Sequence, residues 1–411
     1  MIAEILSIGT ELLMGQFVNS DAQYLSRRLP ELGISVYWHV TVGDNPARAR
    51  DAIAQALSRA DLVITTGGLG PTEDDLTKEM LAEALGLEMQ LDPDSLETIA
   101  SFFRGRNRPM AENNRRQAYF PQGALVMPNR RGTAPGCIVR HGEKIVAVLP
   151  GPPHELEDMY EQQLLPYLSK LKDRTITSKF LRFIGIGESD VETRLLDLFH
   201  SDNPTLALYC SPGEVMARVT ASCPSGEDPS PLIEGVEREI CDRLGSHVYA
   251  EGLYQSMPMT LLDLMRSRGL TLALAESCTG GMLAAQLVDC PGASDVFVEG
   301  FVTYANEAKT RALGVSPDVI VRFGAVSEEC ALAMAEGAKT ASGADCALSV
   351  TGIAGPDGGS DEKPVGTVYV GLVGPFPERV VRLNLRGDRT RIRSLSCLNA
   401  QNLLREALLE G

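Results

Sequence analysis

The sequence predicts an α/β fold in which helices cover both faces of mostly parallel sheets. Along the first part of the chain, short apolar runs ending in glycine alternate with segments of helical spacing. The C-terminal part repeats this alternation, and the stretch between them reads strand, helix, strand, strand, helix, an α+β pattern. These observations predict three domains, over residues 1–171, 172–252 and 253–411.

The first domain alternates predicted strands and helices. The predicted strands are AEILSIG, VYWHVTVGD, DLVITTGGLG and EKIVAVLPGPP, the last centred on residues 143–149. The predicted helices are DAQYLSRRLPELG, ARARDAIAQALSRA, DLTKEMLAEALGL and HELEDMYEQQLLPYLSKL, which closes the domain near Leu171. This rhythm predicts parallel strands joined by crossover helices.

The third domain has the same character and ends differently. The strands LTLALAES and CALSVTGIAGP alternate with the helices GGMLAAQLVDCPG and SEECALAMAEGAKTASG. A predicted hairpin of GTVYVGLVG and ERVVRLNLRG then leads to a long final helix, RTRIRSLSCLNAQNLLREALLEG. The domain is long enough to bury a core of its own.

Charge and composition exclude several classes of protein. The 411 residues carry a formal net charge of −16, which argues against direct binding of nucleic acid through its phosphates. The middle segment has IGIGES where a KH module would carry its nucleotide-clamping G-x-x-G loop. Nine cysteines with no C-x-x-C pair indicate reduced thiols and a cytoplasmic protein. No apolar run approaches the roughly 20 residues that span a bilayer, so we expect no membrane association.

The stretch AESCTGG places Ser277 where a predicted strand gives way to a glycine-rich helix start. That geometry exposes a side chain at the carboxyl edge of a parallel sheet, and it directs free backbone N–H groups at an atom bonded to the serine oxygen. Ser277 is therefore a candidate nucleophile. The other interpretation is that it caps the helix, the usual role of a serine at such a position.

A serine nucleophile needs a base, and residues 253–411 contain no histidine. Lys309 in YANEAK is the remaining candidate, provided that burial or nearby cations such as Arg389, Arg391 and Arg393 lower its pKa. Alternatives stay open for each residue. Lys309 could equally be a solvated charge on the surface. Cys278 could be a rival nucleophile or a buried thiol that only packs.

The stretch TTGGLGPTEDD follows a buried strand and precedes a helix. Gly67, Gly68 and Gly70 permit a phosphate to approach backbone N–H groups closely, although the stretch is neither a Walker A loop nor a G-x-G-x-x-G fingerprint. Asp74 and Asp75 are expected in the first turn of that helix. They fit either metal ligands or helix-capping acids, with Thr72 and Asp75 in capping-box form.

Further polar residues are predicted at the same sheet edge. They are Glu11 after SIGT, Asn19 and Asp21 in VNSD, and Asp44 in VGDN. Each of them could be an ordinary turn residue. Several carboxylates beside a phosphate-binding loop would instead suit the binding of Mg²⁺ or a similar hard cation.

The motifs taken together resemble the CinA family. AESCTGG, YANEAK, GAVSEECALAMA, SVTGIAGPDGG, PVGTVYVGL and GDR match its C-terminal domain, which is shared with bacterial nicotinamide mononucleotide deamidases. GTELLMGQFVNSD, VGDN, TTGGLGPTEDD, ENNRRQA, GTAPG and LPGPPHE match its N-terminal domain, which has the fold of molybdopterin-binding proteins. GIGES and the segment after it fit the family's small, KH-like middle domain.

For the C-terminal domain, the resemblance implies hydrolysis of nicotinamide mononucleotide to nicotinic acid mononucleotide and ammonia, with no metal. Ser277 would be the nucleophile, Lys309 its base and Tyr304 a group that holds or relays the proton. Thr351 would line the pocket. From the residues alone, Tyr304 is equally consistent with packing in the core or across strands, and Thr351 with a helix cap. The implied substrate-binding residues are Arg389, Arg393, Gly280 and Gly281.

For the N-terminal domain, the resemblance implies metal-dependent cleavage of ADP-ribose to AMP and ribose 5-phosphate. The implied phosphate-binding residues are Gly67, Gly68 and Gly70, and the implied ligands of a divalent metal (Mg²⁺ or similar) are Asp74, Asp75, Glu11 and Asp44. A homodimer is the family expectation. Two alternatives remain: a deamidase with a non-catalytic pterin- or nucleotide-binding module, and a non-enzymatic partner in competence.

Overall fold

In the computed structural model the chain divides into two compact units. One comprises Met1–Ser178 with Ala221–Pro231, and the other Lys179–Thr220 with the rest of the chain from Leu232. The structure describes residues 1–171 and 174–410. The predicted boundary at Lys172 lies outside the described residues. No helix within those residues has the length and apolar character that a membrane span requires.

The first unit is built around a six-stranded sheet of order β2-β1-β3-β8-β7-β6. Its strands are β1 (Ile2–Ile8), β2 (Ser35–Val42), β3 (Leu62–Thr66), β6 (Leu125–Met127), β7 (Gly136–His141) and β8 (Lys144–Leu149). β4 (Met89–Leu91) and β5 (Tyr119–Pro121) form a separate pair. The pairs β1–β2, β1–β3 and β3–β8 are parallel, and β7 and β6 add an antiparallel edge. The predicted mostly parallel sheet is confirmed.

Helices lie along both faces of this sheet. They are α1 (Thr10–Leu13), α2 (Ser20–Arg28), α3 (Pro46–Arg59), α4 (Thr77–Leu85), α5 (Pro93–Arg104), α6 (Pro153–Met159) and α7 (Leu165–Ser169). Short 3₁₀ helices span Leu29–Leu32 and Glu112–Ala118, and a π-helical turn spans Tyr160–Leu164. Leu25 and Leu156 pack with Ile5 on one face, and Ile53 and Leu81 pack in the cluster on the other.

Polar caps set several helix starts. Asn19 accepts a hydrogen bond from Ala22 N, and Asn45, directly before Pro46, accepts one from Arg48 N. Asparagine at the N-cap supplies an acceptor for an otherwise unpaired N–H, and proline at the first helical position loses no hydrogen bond. These local signals explain why the predicted helices form where they do.

The middle of the chain forms a four-stranded sheet of order β10-β11-β9-β12 with two helices. Its elements are β9 (Arg174–Ile184), α8 (Glu188–Leu195), β10 (Thr205–Ser211), β11 (Glu214–Pro224), α9 (Ser230–Leu244) and β12 (Val248–Glu251), with 3₁₀ helices at Leu196–His200 and Gly245–His247. Burial alternates along β11, so one face of this strand packs and the other meets solvent. This is the predicted α+β arrangement.

The C-terminal part contains a five-stranded sheet of order β14-β13-β15-β16-β17. Its strands are β13 (Leu272–Glu276), β14 (Phe297–Val302), β15 (Cys346–Gly352), β16 (Thr367–Val373) and β17 (Arg379–Asn384). Its helices are α10 (Met257–Arg268), α11 (Met282–Val288), α12 (Asn306–Leu313), α13 (Pro317–Phe323), α14 (Glu328–Ser342) and α15 (Arg389–Glu410), with a 3₁₀ turn at Ala293–Asp295.

The first three strands of this sheet are parallel, and β16 and β17 form the predicted hairpin. α10 and α15 pack on one face around Leu274 and Leu348, and α14 packs on the other around Ala273 and Ala347. Because β13, β14 and β15 run in the same direction, the residues that follow them meet at one edge of the sheet.

Candidate functional site

Ser277 follows β13 directly, and its N–H donates to Val350 O of β15 at 2.9 Å. Helix α11 starts only at Met282, and its N-cap is Gly281 in the left-handed conformation. The interpretation of Ser277 as a helix cap is therefore wrong. Its side chain is 8% exposed and hydrogen-bonds to a buried amine instead.

That amine is Lys309 Nζ, which lies 3.0 Å from Ser277 Oγ. Lys309 is 1% exposed, so it is not the solvated surface charge that the sequence also allowed. Its amine also donates to the carbonyl oxygens of Thr303, at 2.8 Å, and Tyr304, at 3.3 Å. A neutral amine has two N–H donors and one lone pair, so two carbonyls and one hydroxyl match it.

Burial lowers the pKa of Lys309 below its ordinary value, although the thiols of Cys330 and Cys278 act in the opposite direction. Within the described residues Lys309 forms no ion pair that would favour its charged form. The arginines suggested by the sequence are not the cause of the shift. Desolvation alone accounts for the direction.

Cys278 is buried, and burial raises the pKa of its thiol to about 11. A thiol becomes a strong nucleophile only as the thiolate, which this environment disfavours. The thiol of Cys278 also packs in the apolar cluster around β13. The structure therefore favours the packing role that the sequence left open for this residue.

Sequence reasoning missed Glu276, which precedes Ser277 and is buried at the end of β13. Its carboxylate accepts hydrogen bonds from Gly281 N at 2.9 Å, Leu283 N at 3.1 Å and Ala284 N at 2.8 Å. The expectation that the N–H groups of this helix start are free is wrong, because Glu276 occupies them. An acid just ahead of a glycine-rich helix start was the available signal.

Two backbone N–H groups next to Ser277 remain available. Those of Cys278 and Thr279 donate to no other residue in the part of the chain that the structure describes. Gly280 and Gly281 close this turn with φ values of 60° and 89°, a conformation that favours glycine. The turn thus places a hydroxyl and two free N–H donors on three consecutive residues, and Lys309 of α12 brings its buried amine to that hydroxyl.

The phenol of Tyr304 is 62% exposed and accepts a hydrogen bond from Arg389 at 3.1 Å. Only the backbone carbonyl of Tyr304 contacts the amine of Lys309. Thr351 is buried in β15, where its hydroxyl donates to Ala325 O at 2.7 Å, so it caps no helix. The roles implied for the phenol and for the Thr351 hydroxyl stay predictions.

Arg389 and Arg393 lie one helical turn apart at the start of α15. Arg393 donates from Nε and one terminal nitrogen to Thr279 O, at 3.2 and 2.5 Å. Arg389 donates to Gly355 O at 2.6 Å as well as to the Tyr304 phenol. The Arg393 guanidinium therefore contacts the turn after Ser277, and the Arg389 guanidinium contacts Tyr304 and Gly355. The backbone N–H of Arg391 donates to the Asp388 carboxylate, which caps the start of α15.

A separate cleft of about 800 Å³ lies at the carboxyl ends of the strands in the first unit. The residues predicted for the N-terminal site all line it: Gly67, Gly68, Gly70, Asp74, Asp75, Glu11 and Asp44. Gly67 follows β3 with φ of 90°, and a side chain there would collide with the carbonyl oxygen of Ile8. The glycine loop, residues 67–70, thus brings its backbone close to β1, and the approach of a phosphate to this loop stays a prediction.

The predicted helical placement of Asp74 and Asp75 is wrong, because α4 begins only at Thr77. Both carboxylates lie in the turn before it and accept hydrogen bonds from the Thr72 hydroxyl. Asp75 also accepts from Thr72 N at 3.0 Å, so these side chains order the loop itself. Asp44 accepts from Thr10 N at 2.8 Å.

Within residues 1–171 and 174–410, no group of three or more His, Cys, Asp and Glu side chains is placed to hold a metal ion. The four carboxylates named above surround one cleft without forming a ligand set. The protein residues alone therefore do not fit a resident metal centre.

These observations define the class of protein: an α/β chain with a glycine-lined cleft in one unit and a buried serine–lysine pair in the other. Family models match in three places, a probable molybdopterin binding domain at residues 4–170, a damage-inducible protein CinA KH domain at 178–250 and a CinA C-terminal domain at 254–408. The chain belongs to the CinA family.

Relatives match over the whole chain. A CinA-like protein of Dictyoglomus turgidum is 49% identical over 410 residues, covering 100% of both chains. A protein of Clostridium novyi described as competence-damage inducible is 50% identical over 410 residues, covering 100% of this chain and 99% of its own. The crystal structure of competence/damage inducible protein CihA from Agrobacterium tumefaciens is 39% identical, covering 38% of this chain and 98% of that one, with a TM-score of 0.36.

Proposed function

We propose that the C-terminal site hydrolyses the carboxamide of nicotinamide mononucleotide, giving nicotinic acid mononucleotide and ammonia. The observation that carries this proposal is the 3.0 Å contact between Ser277 Oγ and the buried amine of Lys309. A serine attacks an amide only if a base removes its proton, and a desolvated lysine with a lowered pKa provides one.

In the proposed mechanism Lys309 accepts the Ser277 proton while Oγ bonds to the carboxamide carbon. The N–H groups of Cys278 and Thr279 then donate to the developing oxyanion. Lys309 returns the proton to the leaving nitrogen, which departs as ammonia and leaves an acyl ester on Ser277. Water, deprotonated by the same amine, then adds to the ester carbon, and Lys309 returns that proton to Ser277 Oγ as the ester bond breaks. The product leaves as nicotinic acid mononucleotide, whose carboxyl group gives its proton to solvent. No step requires a metal.

The 5′-phosphate of the substrate is proposed to bind Arg389 and Arg393. Guanidinium groups bind phosphate through two parallel hydrogen bonds where geometry permits. Arg389 suits this role because its partners, the Tyr304 phenol and one carbonyl, leave further N–H groups unused. Tyr304 is proposed to position Arg389, and Thr351 to support the adjacent strand end.

Replacing Ser277 with alanine tests the proposal. We expect Ser277→Ala to lower the rate of ammonia release from nicotinamide mononucleotide by at least about a thousandfold with the fold intact, since the bond-forming atom is gone. Cys278→Ala is the matched control and should keep most of the activity. A Ser277→Ala protein with near-wild-type turnover would remove the serine from the mechanism.

For the N-terminal cleft we propose cleavage of ADP-ribose to AMP and ribose 5-phosphate. The support is the glycine loop at the carboxyl ends of parallel strands, where backbone N–H groups suit a pyrophosphate. Mg²⁺ or a similar cation is proposed to arrive with the substrate, because phosphate oxygens commonly complete its shell beside one or two carboxylates. We assign no step to the cation, since the protein residues do not form a ligand set.

Cation-dependent release of AMP tests this second activity. We expect the full chain to form AMP from ADP-ribose with Mg²⁺ or Mn²⁺ present, and to form none after addition of a chelator, measured by chromatography. If AMP never appears with any divalent cation, the cleft is a binding module and not a catalytic site. The homodimer and the cytoplasmic location stay proposals as well.

A further inference from the structure

The cleft of the first unit contains two buried oxygen atoms whose hydrogen-bonding capacity is unused. Asp21 is 8% exposed and Gln117 is 2% exposed, and both line the cleft. Asp21 Oδ1 and Gln117 Oε1 accept no hydrogen bond from any residue within the described ranges. A buried acceptor without a donor destabilises a fold, so two of them in one cleft indicate a missing partner that brings donors.

The orientation of Gln117 is fixed by its other groups. Its Nε2 donates to Leu69 O of the glycine loop at 3.0 Å, and its backbone oxygen accepts from Lys78 Nζ at 2.6 Å. Exchanging the two amide atoms would set its oxygen against the Leu69 carbonyl, which cannot donate. The free oxygen of Gln117 is therefore a preset acceptor.

Asp21 lies in the first turn of α2. Burial, with a smaller contribution from the charge of Glu157, raises the pKa of this carboxyl to about 7. If the protein donated hydrogen bonds to this carboxylate, its pKa would be lowered instead. Asp21 itself lines the cleft, and its carboxylate, when ionised, disfavours a phosphate group beside it.

We propose that Asp21 and Gln117 form an acceptor subsite that binds the hydroxyl groups of a sugar attached to the phosphates in the cleft. Sugar hydroxyls supply the donors that both oxygens lack, and they carry no negative charge to be repelled by the carboxylate of Asp21. The phosphates bind at the glycine loop, and the subsite selects the sugar. This inference deepens the N-terminal site of the proposed function and rests on it for the ligand.

Binding of two probes to the full-length protein tests the subsite. ADP-ribose carries hydroxyls and phosphates, whereas inorganic pyrophosphate carries phosphates alone. We expect Asp21→Leu and Gln117→Met, which remove the oxygens at similar size, each to weaken ADP-ribose binding about tenfold or more by calorimetry at fixed Mg²⁺, the loss of a typical hydrogen bond. Pyrophosphate affinity should not change in Asp21→Leu, whereas Gln117→Met also removes the bond to Leu69 O and should weaken ADP-ribose more than pyrophosphate.

Two further variants guard against a structural explanation. Asp21→Asn keeps a carbonyl oxygen and should retain most of the ADP-ribose affinity even if Asp21→Leu does not fold. Tyr160→Phe removes another buried hydroxyl that has no partner among the described residues but does not line the cleft, and it should leave both affinities unchanged.

The outcomes separate the subsite from the activity. Equal losses for both probes, no loss in the Leu and Met variants, or no ADP-ribose binding by the wild type would each overturn the subsite. Tight ADP-ribose binding without AMP release, together with the expected losses, would leave the subsite intact and refute only the proposed cleavage.

Discussion

At the scale of single residues, Lys309 shows how burial creates a base. The effective penalty for burying an ammonium ion is several kcal/mol, and no described carboxylate pairs with this one to offset it. The carbonyls of Thr303 and Tyr304 accept from either protonation state. Desolvation therefore prevails, and the amine that faces Ser277 Oγ loses its proton more readily than an exposed lysine.

This argument predicts the sign of the pH dependence. Because only neutral Lys309 accepts the serine proton, kcat/KM for nicotinamide mononucleotide should rise with pH and level off above the pKa of Lys309. The lowered pKa places that plateau below the range in which an exposed lysine titrates. Steady-state ammonia release across the pH range measures it.

Lys309→Arg should abolish the activity at every pH, because a guanidinium stays protonated. Lys339→Arg, at a half-buried position in the last turn of α14, is the control and should leave the profile unchanged. A rate that falls as pH rises through this range would show that Lys309 works as a cation and not as a base.

The unpaired oxygens of Asp21 and Gln117 could not be predicted from the sequence. Asp21 was predicted only as a polar residue at the sheet edge, and Gln117 was not singled out. Which atom of a buried side chain stays unpaired depends on chain segments far away in sequence, as with Gln117, whose Nε2 donates to Leu69 O while its Oε1 receives no donor from the described residues. Local pattern carries no such information.

At the scale of elements, the turn between β13 and α11 is organised by Glu276. One buried carboxylate accepts three backbone N–H groups, each bond worth more than a neutral one because the acceptor is charged. The carboxylate ties the end of the strand to the start of the helix. It thereby fixes the residues between them, including Ser277.

We expect Glu276→Gln to lower the stability of this part of the chain by about 2 kcal/mol, because an amide offers one acceptor oxygen where two are in use. Calorimetric unfolding measures the change. Glu328→Gln, an exposed acid in the first turn of α14, is the control and should alter stability by less than about 0.5 kcal/mol. Equal effects of the two changes would contradict the assigned role of Glu276.

At the scale of the whole molecule, the two candidate sites belong to different compact units. Among the described residues, no side chain named for one site belongs to the other. Each therefore has its own sheet edge, its own glycine-rich turn and its own set of polar groups.

This separation predicts independent losses of activity. Ser277→Ala should stop ammonia release and leave AMP release from ADP-ribose unchanged. Gly67→Ala should do the reverse, because a side chain at this left-handed position meets the Ile8 carbonyl. Assaying both products from each variant checks this, and a variant that loses both activities would show that the units depend on one another.

The α/β class, the alternation of β1, β2, β3, β8, β13 and β15 with helices, and the residues that follow these strands could all be predicted from local pattern, whereas β4 to β7 and β14 could not. Hydrophobic period and glycine stops are local properties, and parallel strands necessarily end at a common edge. Ser277, Lys309 and the residues around TTGGLGPTEDD were therefore predictable as candidates.

Which of these candidates come into contact was established by packing between distant segments. It placed the Lys309 amine against Ser277 rather than in solvent, gave the helix-start N–H groups to Glu276, and turned Asp74 and Asp75 toward Thr72. Burial and hydrogen-bond partners depend on packing between segments that are distant in sequence. That packing determines both the pKa of a lysine such as Lys309 and whether a buried oxygen receives a hydrogen bond.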